Sequence, residues 1–168
     1  MLFRSQKYAT DTEIQSLVDN REIWFCFCVN PDGYYHNEVT DPLGGGMWRK
    51  NRRHNFYGSY CVDLNRNWAY EWVYDDEGSS PEPSDETYRG TMGFSEPETQ
   101  NMRDFHYERN FIISIYFHSY SDLILWPWGY DQFYTEDQDI FQVLGDSMST
   151  WNGYNPTPAW GLYVANGT

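Results

Sequence analysis

Positive charge is scarce in this chain: 11 Lys and Arg stand against 25 Asp and Glu over 168 residues, a net charge of -14. A field of that sign repels nucleic acid and anionic membrane surfaces, so neither is expected as a partner. Cysteine is also scarce, and three cannot close a disulfide framework. Unpaired thiols lean towards a reducing compartment. No apolar run approaches the ~18–20 residues that span a bilayer. The first ten residues, MLFRSQKYAT, lack an apolar core followed by a small-residue cleavage site. Internal repeats and low-complexity tracts are absent. Aromatic residues are plentiful at 20%, which argues against intrinsic disorder. One soluble globular piece of single-domain length is the expectation.

Helical signals come first along the chain. Thr10 to Glu13 reads as a capping box ahead of Ile14, Leu17 and Val18, predicting a helix over about 11–19. Ile23 to Val29 is a continuous apolar run of strand length, stopped by a turn at Asn30-Pro31-Asp32-Gly33. Lack of alternation predicts a strand buried on both faces. Cys26 and Cys28 would share one side of it, either as small buried hydrophobes or as a C-x-C metal pair. Cys61 has no assigned role. Residues 34–95 show little periodicity but hold many Trp and Tyr, so they should be irregular and packed.

Ser95-Glu96-Pro97-Glu98 predicts a helix to about Tyr107, with Ser95 as N-cap. Phe111 to Phe117 is a second buried strand and Leu123 to Trp126 a third. A helix over about 137–150 and a short strand near 160–164 follow. Strands alternating with helices predict an α/β class with helices on the faces of the sheet.

Three features carry possible chemistry. His118 ends the run FIISIYF at the carboxyl edge of a strand, where ligands gather in α/β sheets. It could be a zinc ligand or simply a hydrogen-bonded strand-end histidine. The basic cluster Arg49 to Arg53 could stabilise an oxyanion or grip a carboxylate, or could be a solvated loop offsetting the acidic stretch Glu71–Glu86. Asp63-Leu64-Asn65-Arg66-Asn67-Trp68 could clamp a carboxylate through Arg66 and Asn65, or hold a structural Asp63–Arg66 pair.

Taken in order, seven blocks make a pattern. They are Asn30–Tyr34, Trp48–Arg52, Asp63–Trp68, Glu86–Gly90, Phe94–Thr99, His118–Ser121 and Pro127–Tyr130. This pattern resembles the zinc carboxypeptidases of the carboxypeptidase A/B type. The resemblance implies a mixed, mostly parallel central sheet flanked by helices. It implies a zinc-dependent hydrolase that removes C-terminal residues from peptides or proteins, with a peptide C-terminus as substrate. His118 would be one zinc ligand, and Arg49 would polarise the scissile carbonyl. Asn65 and Arg66 would grip the terminal carboxylate, with Ser119 and Tyr120 lining a subsite. Gly129 resembles members that prefer apolar or aromatic C-terminal residues.

Other family parts are missing. No H-x-x-E occurs: His36, His54, His106 and His118 are followed at the fourth position by Val39, Tyr57, Arg109 and Ser121. The general-base glutamate and the mobile tyrosine of the family would lie past Thr168. Gly46 stands where some members carry a further subsite arginine. A family catalytic domain has roughly 300 residues. Residues 1–168 are therefore expected to form a single partial peptidase domain, lacking the N-terminal zinc-motif region and the C-terminal catalytic-base region. Zinc (Zn2+) would belong to the complete domain, with one of its ligands here. The chain alone is expected to bind it weakly and to be inactive. The alternative is a non-catalytic module that binds peptide C-terminal carboxylates.

Overall fold

The computed structural model describes residues 7–54 and 61–168. The first fully described helix, α1, runs over Thr12–Asn20. The cap is Asp11 rather than Thr10: its carboxylate accepts from the Glu13 and Ile14 N–H groups at 3.0 and 3.2 Å. The Thr10 hydroxyl turns back to the Lys7 carbonyl instead. A second helix, α2, covers Pro31–Thr40, where the sequence reading placed only a turn. Asn30 caps it by accepting from Gly33 N at 3.0 Å, and Pro31 supplies the preset φ of a first helical position. The same Asn-Pro pair signals a turn or a helix start, and weak periodicity in the following residues hid the helix.

Helix α3 spans Pro97–Arg109 and ends on Asn110 in the left-handed conformation. Ser95 does not cap it, because its hydroxyl donates to the Glu96 carboxylate at 2.7 Å and accepts from Asn67 at 2.9 Å. Strand β1, Leu123–Trp126, pairs in parallel with β2, Asn155–Pro158, and helix α4, Gln138–Asn152, makes the crossover between them. Glycine at 145 lets α4 lie close to this pair: a Cβ there would meet the Trp126 ring at 2.9 Å and Pro156 Cβ at 3.0 Å. The α/β class with a parallel sheet and flanking helices is thus present. The last strand differs in place, being at 155–158 and not near 160–164. Prolines 156 and 158 are tolerated there because β2 has one ladder neighbour among the described residues, and Ala159–Gly161 then forms a 3-10 turn.

Two expected strands carry no ladder. Residues 23–29 and 111–117 have no regular secondary structure, and among the described residues no backbone pairs with them as a strand. A strand is a hydrogen-bonded object, and an apolar run alone does not make one. Their side chains are correspondingly open, with Phe27 at 83% and Ile112 at 98% exposure. Cys26 and Cys28 are exposed with them, which corrects the expectation of buried thiols. Cys61 is the buried one.

The irregular middle of the chain is where the core sits, and buried polar residues outnumber buried apolar ones. Val62, Leu64 and Tyr88 supply apolar burial beside Lys50, Asn51, Asn67, Arg89 and Glu96. Most buried polar groups are matched, though Arg66 Nε and Asn166 Oδ1 are not. The Glu96 carboxylate accepts from Asn51 at 2.7 Å and from Arg53 at 2.6 Å, while the Lys50 ammonium donates to the Asp85 carbonyl at 2.6 Å. Arg89 binds the backbone of Asp75 and Ser79 and pairs with Asp76 at 2.7 Å. Among the described residues, no helix is long and apolar enough to cross a membrane.

Candidate functional site

Arg49 lies on a loop fastened to α2 by two asparagines. Asn30 Nδ2 donates to the carbonyls of Arg49 and Lys50, both at 3.1 Å. Asn37 brackets Trp48, donating to its carbonyl and accepting from its N–H, each at 2.9 Å. Gly33 makes the approach possible, since a Cβ there would stand 2.7 Å from the Lys50 carbonyl oxygen. Along the basic cluster the side chains alternate in fate. Arg49 is exposed, whereas Lys50 is buried, and its ammonium is held below the ordinary lysine range by burial, against the pull of Glu86 and other acids. The cluster therefore splits between open and structural cations.

Asn65 and Arg66 sit on a 3-10 turn, Leu64–Arg66, capped by Asp63, whose carboxylate accepts from Asn65 N at 3.0 Å. Asn67 locks the turn from behind, donating to the Arg89 and Met92 carbonyls and accepting from the Thr99 hydroxyl at 2.7 Å. The expected Asp63–Arg66 pair exists at 3.8 Å, too long for a hydrogen bond. Burial pushes the Asp63 carboxyl up, while Arg66 and then the Asn65 N–H pull it down. Arg66 is 6% exposed, and its Nη1 donates to the Asn65 carbonyl at 2.7 Å. Its Nε is buried with no hydrogen-bond partner. An orphaned, buried guanidinium N–H is costly without an acceptor.

His118 is close enough to Arg49 and Asp63 to feel both charges. Partial desolvation of the ring, on a residue that is exposed as a whole, lowers its pKa first, the Arg49 cation lowers it further, and Asp63 opposes them. The neutral imidazole is favoured at neutral pH, which is the form that ligates metals. The sign of the pH effect follows. The folded pKa lies below the unfolded 6.5, so this contribution to stability is present above about pH 6.5 and is lost as pH falls through the folded value. His118→Gln should therefore reduce the loss of unfolding free energy between about pH 7 and about pH 5. Urea titrations at both values measure it, and an unchanged loss would count against the assignment.

Arg49, Asp63, Arg66 and His118 thus share one electrostatic neighbourhood, with Asn65 beside them on the turn. Ser119 and Tyr120 follow His118 at the surface, Tyr120 at 89% exposure. Next to the turn lies a cavity of about 240 Å³, lined by Tyr70, Trp126, Trp128, Gly129, Ala165 and Gly167 among others. Tyr70 stacks on Trp128 at 4.6 Å between ring centres, so the wall is aromatic. Gly167 joins cavity to turn: its carbonyl accepts from Trp68 N at 3.0 Å. The clamp on the Arg49 loop, the Asn67 lock and the return of residues 163–168 onto the turn all escaped sequence reasoning. The first was signalled by Asn30-Pro31, and the others are long-range contacts with no local signal.

Among the described residues, no group of three or more His, Cys, Asp and Glu side chains could hold a metal ion. His118 alone does not fit a catalytic zinc, which takes about three protein ligands.

A family model described as zinc carboxypeptidase matches residues 5–157. A zinc carboxypeptidase of Simulium vittatum is 39% identical over 144 residues, covering 83% of this chain and 45% of that protein. Carboxypeptidase A1 of Mus musculus is 36% identical over 151 residues, covering 87% and 34% respectively. The crystal structure of thrombin activatable fibrinolysis inhibitor matches 98% of this chain and 42% of its own, with a TM-score of 0.84 at 28% identity. The chain spans less than half the length of the curated relatives it matches.

Proposed function

Because the chain belongs to the zinc carboxypeptidase family, we propose that it is part of a zinc-dependent peptidase that removes C-terminal residues from peptides or proteins. The observation that carries this reading is the buried Arg66 guanidinium with an unpartnered Nε, on a turn whose backbone meets Gly167, one of the residues lining an apolar cavity. A peptide C-terminus offers both complements: a carboxylate for the guanidinium and a final side chain for the cavity. Asn65 makes no side-chain hydrogen bond among the described residues and can add an amide donor to the same carboxylate. Gly129 keeps the cavity open, since a Cβ there would stand 3.2 Å from the Thr168 hydroxyl. Aromatic and small lining groups favour an apolar last residue.

The other residues take roles consistent with this pose. Arg49, exposed on its clamped loop and near His118, donates to the carbonyl of the bond to be cut and stabilises the charge that develops on its oxygen. Ser119 and Tyr120 flank the residue before that bond. His118 presents a neutral imidazole as one zinc ligand. In the complete domain, a bound zinc would supply Lewis acidity and an activated water. The residues described here do not complete its site. In this reading the other ligands and the general base come from outside them, and residues 1–168 are one partial peptidase domain.

Two measurements test the proposal. Equilibrium dialysis with zinc alone should find no tightly held ion on this chain; one tightly bound zinc per chain would overturn the assignment of ligands. Release of the last amino acid from a peptide acid should occur with a native polypeptide that contains this chain, and should vanish when the C-terminus is amidated. Equal release from acid and amide would sink the reading. A second reading is favoured by the incomplete metal set: a non-catalytic module that binds C-terminal carboxylates through Arg66 and Asn65. It predicts binding of the acid peptide with no release by any native form.

A further inference from the structure

We propose that Tyr163 is a positioning residue for the Arg66 guanidinium, holding it off Asp63 so that it stays available to a ligand carboxylate. This rests on the reading of Arg66 as the carboxylate clamp. The Arg66 Cζ lies 5.6 Å from the centre of the Tyr163 ring, within the range at which a ring quadrupole attracts a guanidinium. Two other contacts act on the same group. Nη1 donates to the Asn65 carbonyl at 2.7 Å, fixing one corner. Asp63 stands at 3.8 Å, a carboxylate that has not closed on it.

That last distance poses the problem the tyrosine solves. An arginine beside a carboxylate in a partly buried turn ordinarily forms a short, often bidentate pair. Such a pair would consume the donors that a peptide carboxylate needs. Attraction to the Tyr163 ring competes with that collapse, and it leaves Nε without a protein acceptor.

Backbone contacts fix where the ring can be. Ala165 N donates to the Gly129 carbonyl at 2.8 Å, and Gly167 O accepts from Trp68 N at 3.0 Å. At Gly167 the chain has φ +60, and a Cβ would stand 2.6 Å from the Arg66 carbonyl oxygen. Only glycine allows residues 163–168 to come this close to the turn. The segment is thus pinned to both the cavity wall and the turn that carries Arg66, with Tyr163 at its start. Tyr163 is itself half-exposed, so its ring is not a core element.

The test uses this chain and two fluorescent peptides of one sequence, one with a free C-terminal carboxylate and one amidated. Their dissociation constants are measured by anisotropy for the parent, Tyr163→Phe, Tyr163→Leu and Tyr163→Gln. The parent should prefer the acid. Tyr163→Phe keeps the ring and should keep that preference. Tyr163→Leu and Tyr163→Gln should lower it by about 2- to 30-fold, with affinity for the amide unchanged. Loss of packing alone would weaken both peptides together, which would overturn the proposal. So would a Phe variant that loses as much preference as Leu, or a Leu or Gln variant that keeps the parent value. A parent with no preference for the acid would remove the Arg66 reading and this inference together. A parent preference untouched by the Leu and Gln changes would remove this inference alone.

Discussion

Asn67→Ala should lower the unfolding free energy by about 3–5 kcal/mol, a large part of the stability of a domain this size. Asn67 is fully buried, and its side-chain amide is saturated. Nδ2 donates to the Arg89 carbonyl at 2.8 Å, the Ser95 hydroxyl at 2.9 Å and the Met92 carbonyl at 3.1 Å. Oδ1 accepts from the Thr99 hydroxyl at 2.7 Å and from Glu96 N at 3.3 Å. Truncation orphans several buried groups at once, each worth about 1–3 kcal/mol when left unmade. Asn67→Asp should be no better, because its second oxygen would face acceptors. Urea denaturation of both variants measures the loss, and a fall of less than about 1 kcal/mol in either would show that the network relaxes around the gap.

Arg66→Met should have the opposite profile: little change in stability and a large change in binding. Replacing a buried, imperfectly paired cation by an apolar chain of similar length is often neutral or favourable. The unpartnered Nε and the 3.8 Å gap to Asp63 put Arg66 in that class. A charge-assisted hydrogen bond to a ligand is worth about 1.5–3 kcal/mol, so affinity for an acid peptide should fall about 10- to 100-fold. Affinity for the amidated peptide should hold. Arg66→Lys should fall between, keeping the charge but not the planar fork. Calorimetric titration with the two peptides decides the matter; equal losses for acid and amide would assign Arg66 to the scaffold.

The contrast between these two residues shows what sequence reading can reach. The placing of Arg66 beside Asp63 was legible because the two stand three apart in a short polar segment between Val62 and Trp68. Asn67 was not legible, because its partners lie 22 to 32 positions away and no local pattern foretells them. Helices α1, α3 and α4 were readable from caps and periodicity to within a few residues. Their exact starts were not, since Asp11 outcompeted Thr10 and Ser95 was recruited by Glu96 and Asn67. Helix α2 was missed because Asn30-Pro31 writes both a turn and a helix start. The apolar runs at 23–29 and 111–117 were read as buried strands, and among the described residues the structure pairs neither with a neighbour. Pairing depends on what lies alongside, which a run of apolar residues does not encode.

The clamp on the loop of Arg49 has a consequence for how such a site changes over time. Asn30 grips that loop by main-chain oxygens, at Arg49 and Lys50 alike. Nothing in that grip depends on the identity of the side chain at 49. The loop is therefore a socket: a different residue can be placed there without unfastening its mount. Chemistry at this position can drift, or be redesigned, while the geometry that presents it stays inherited.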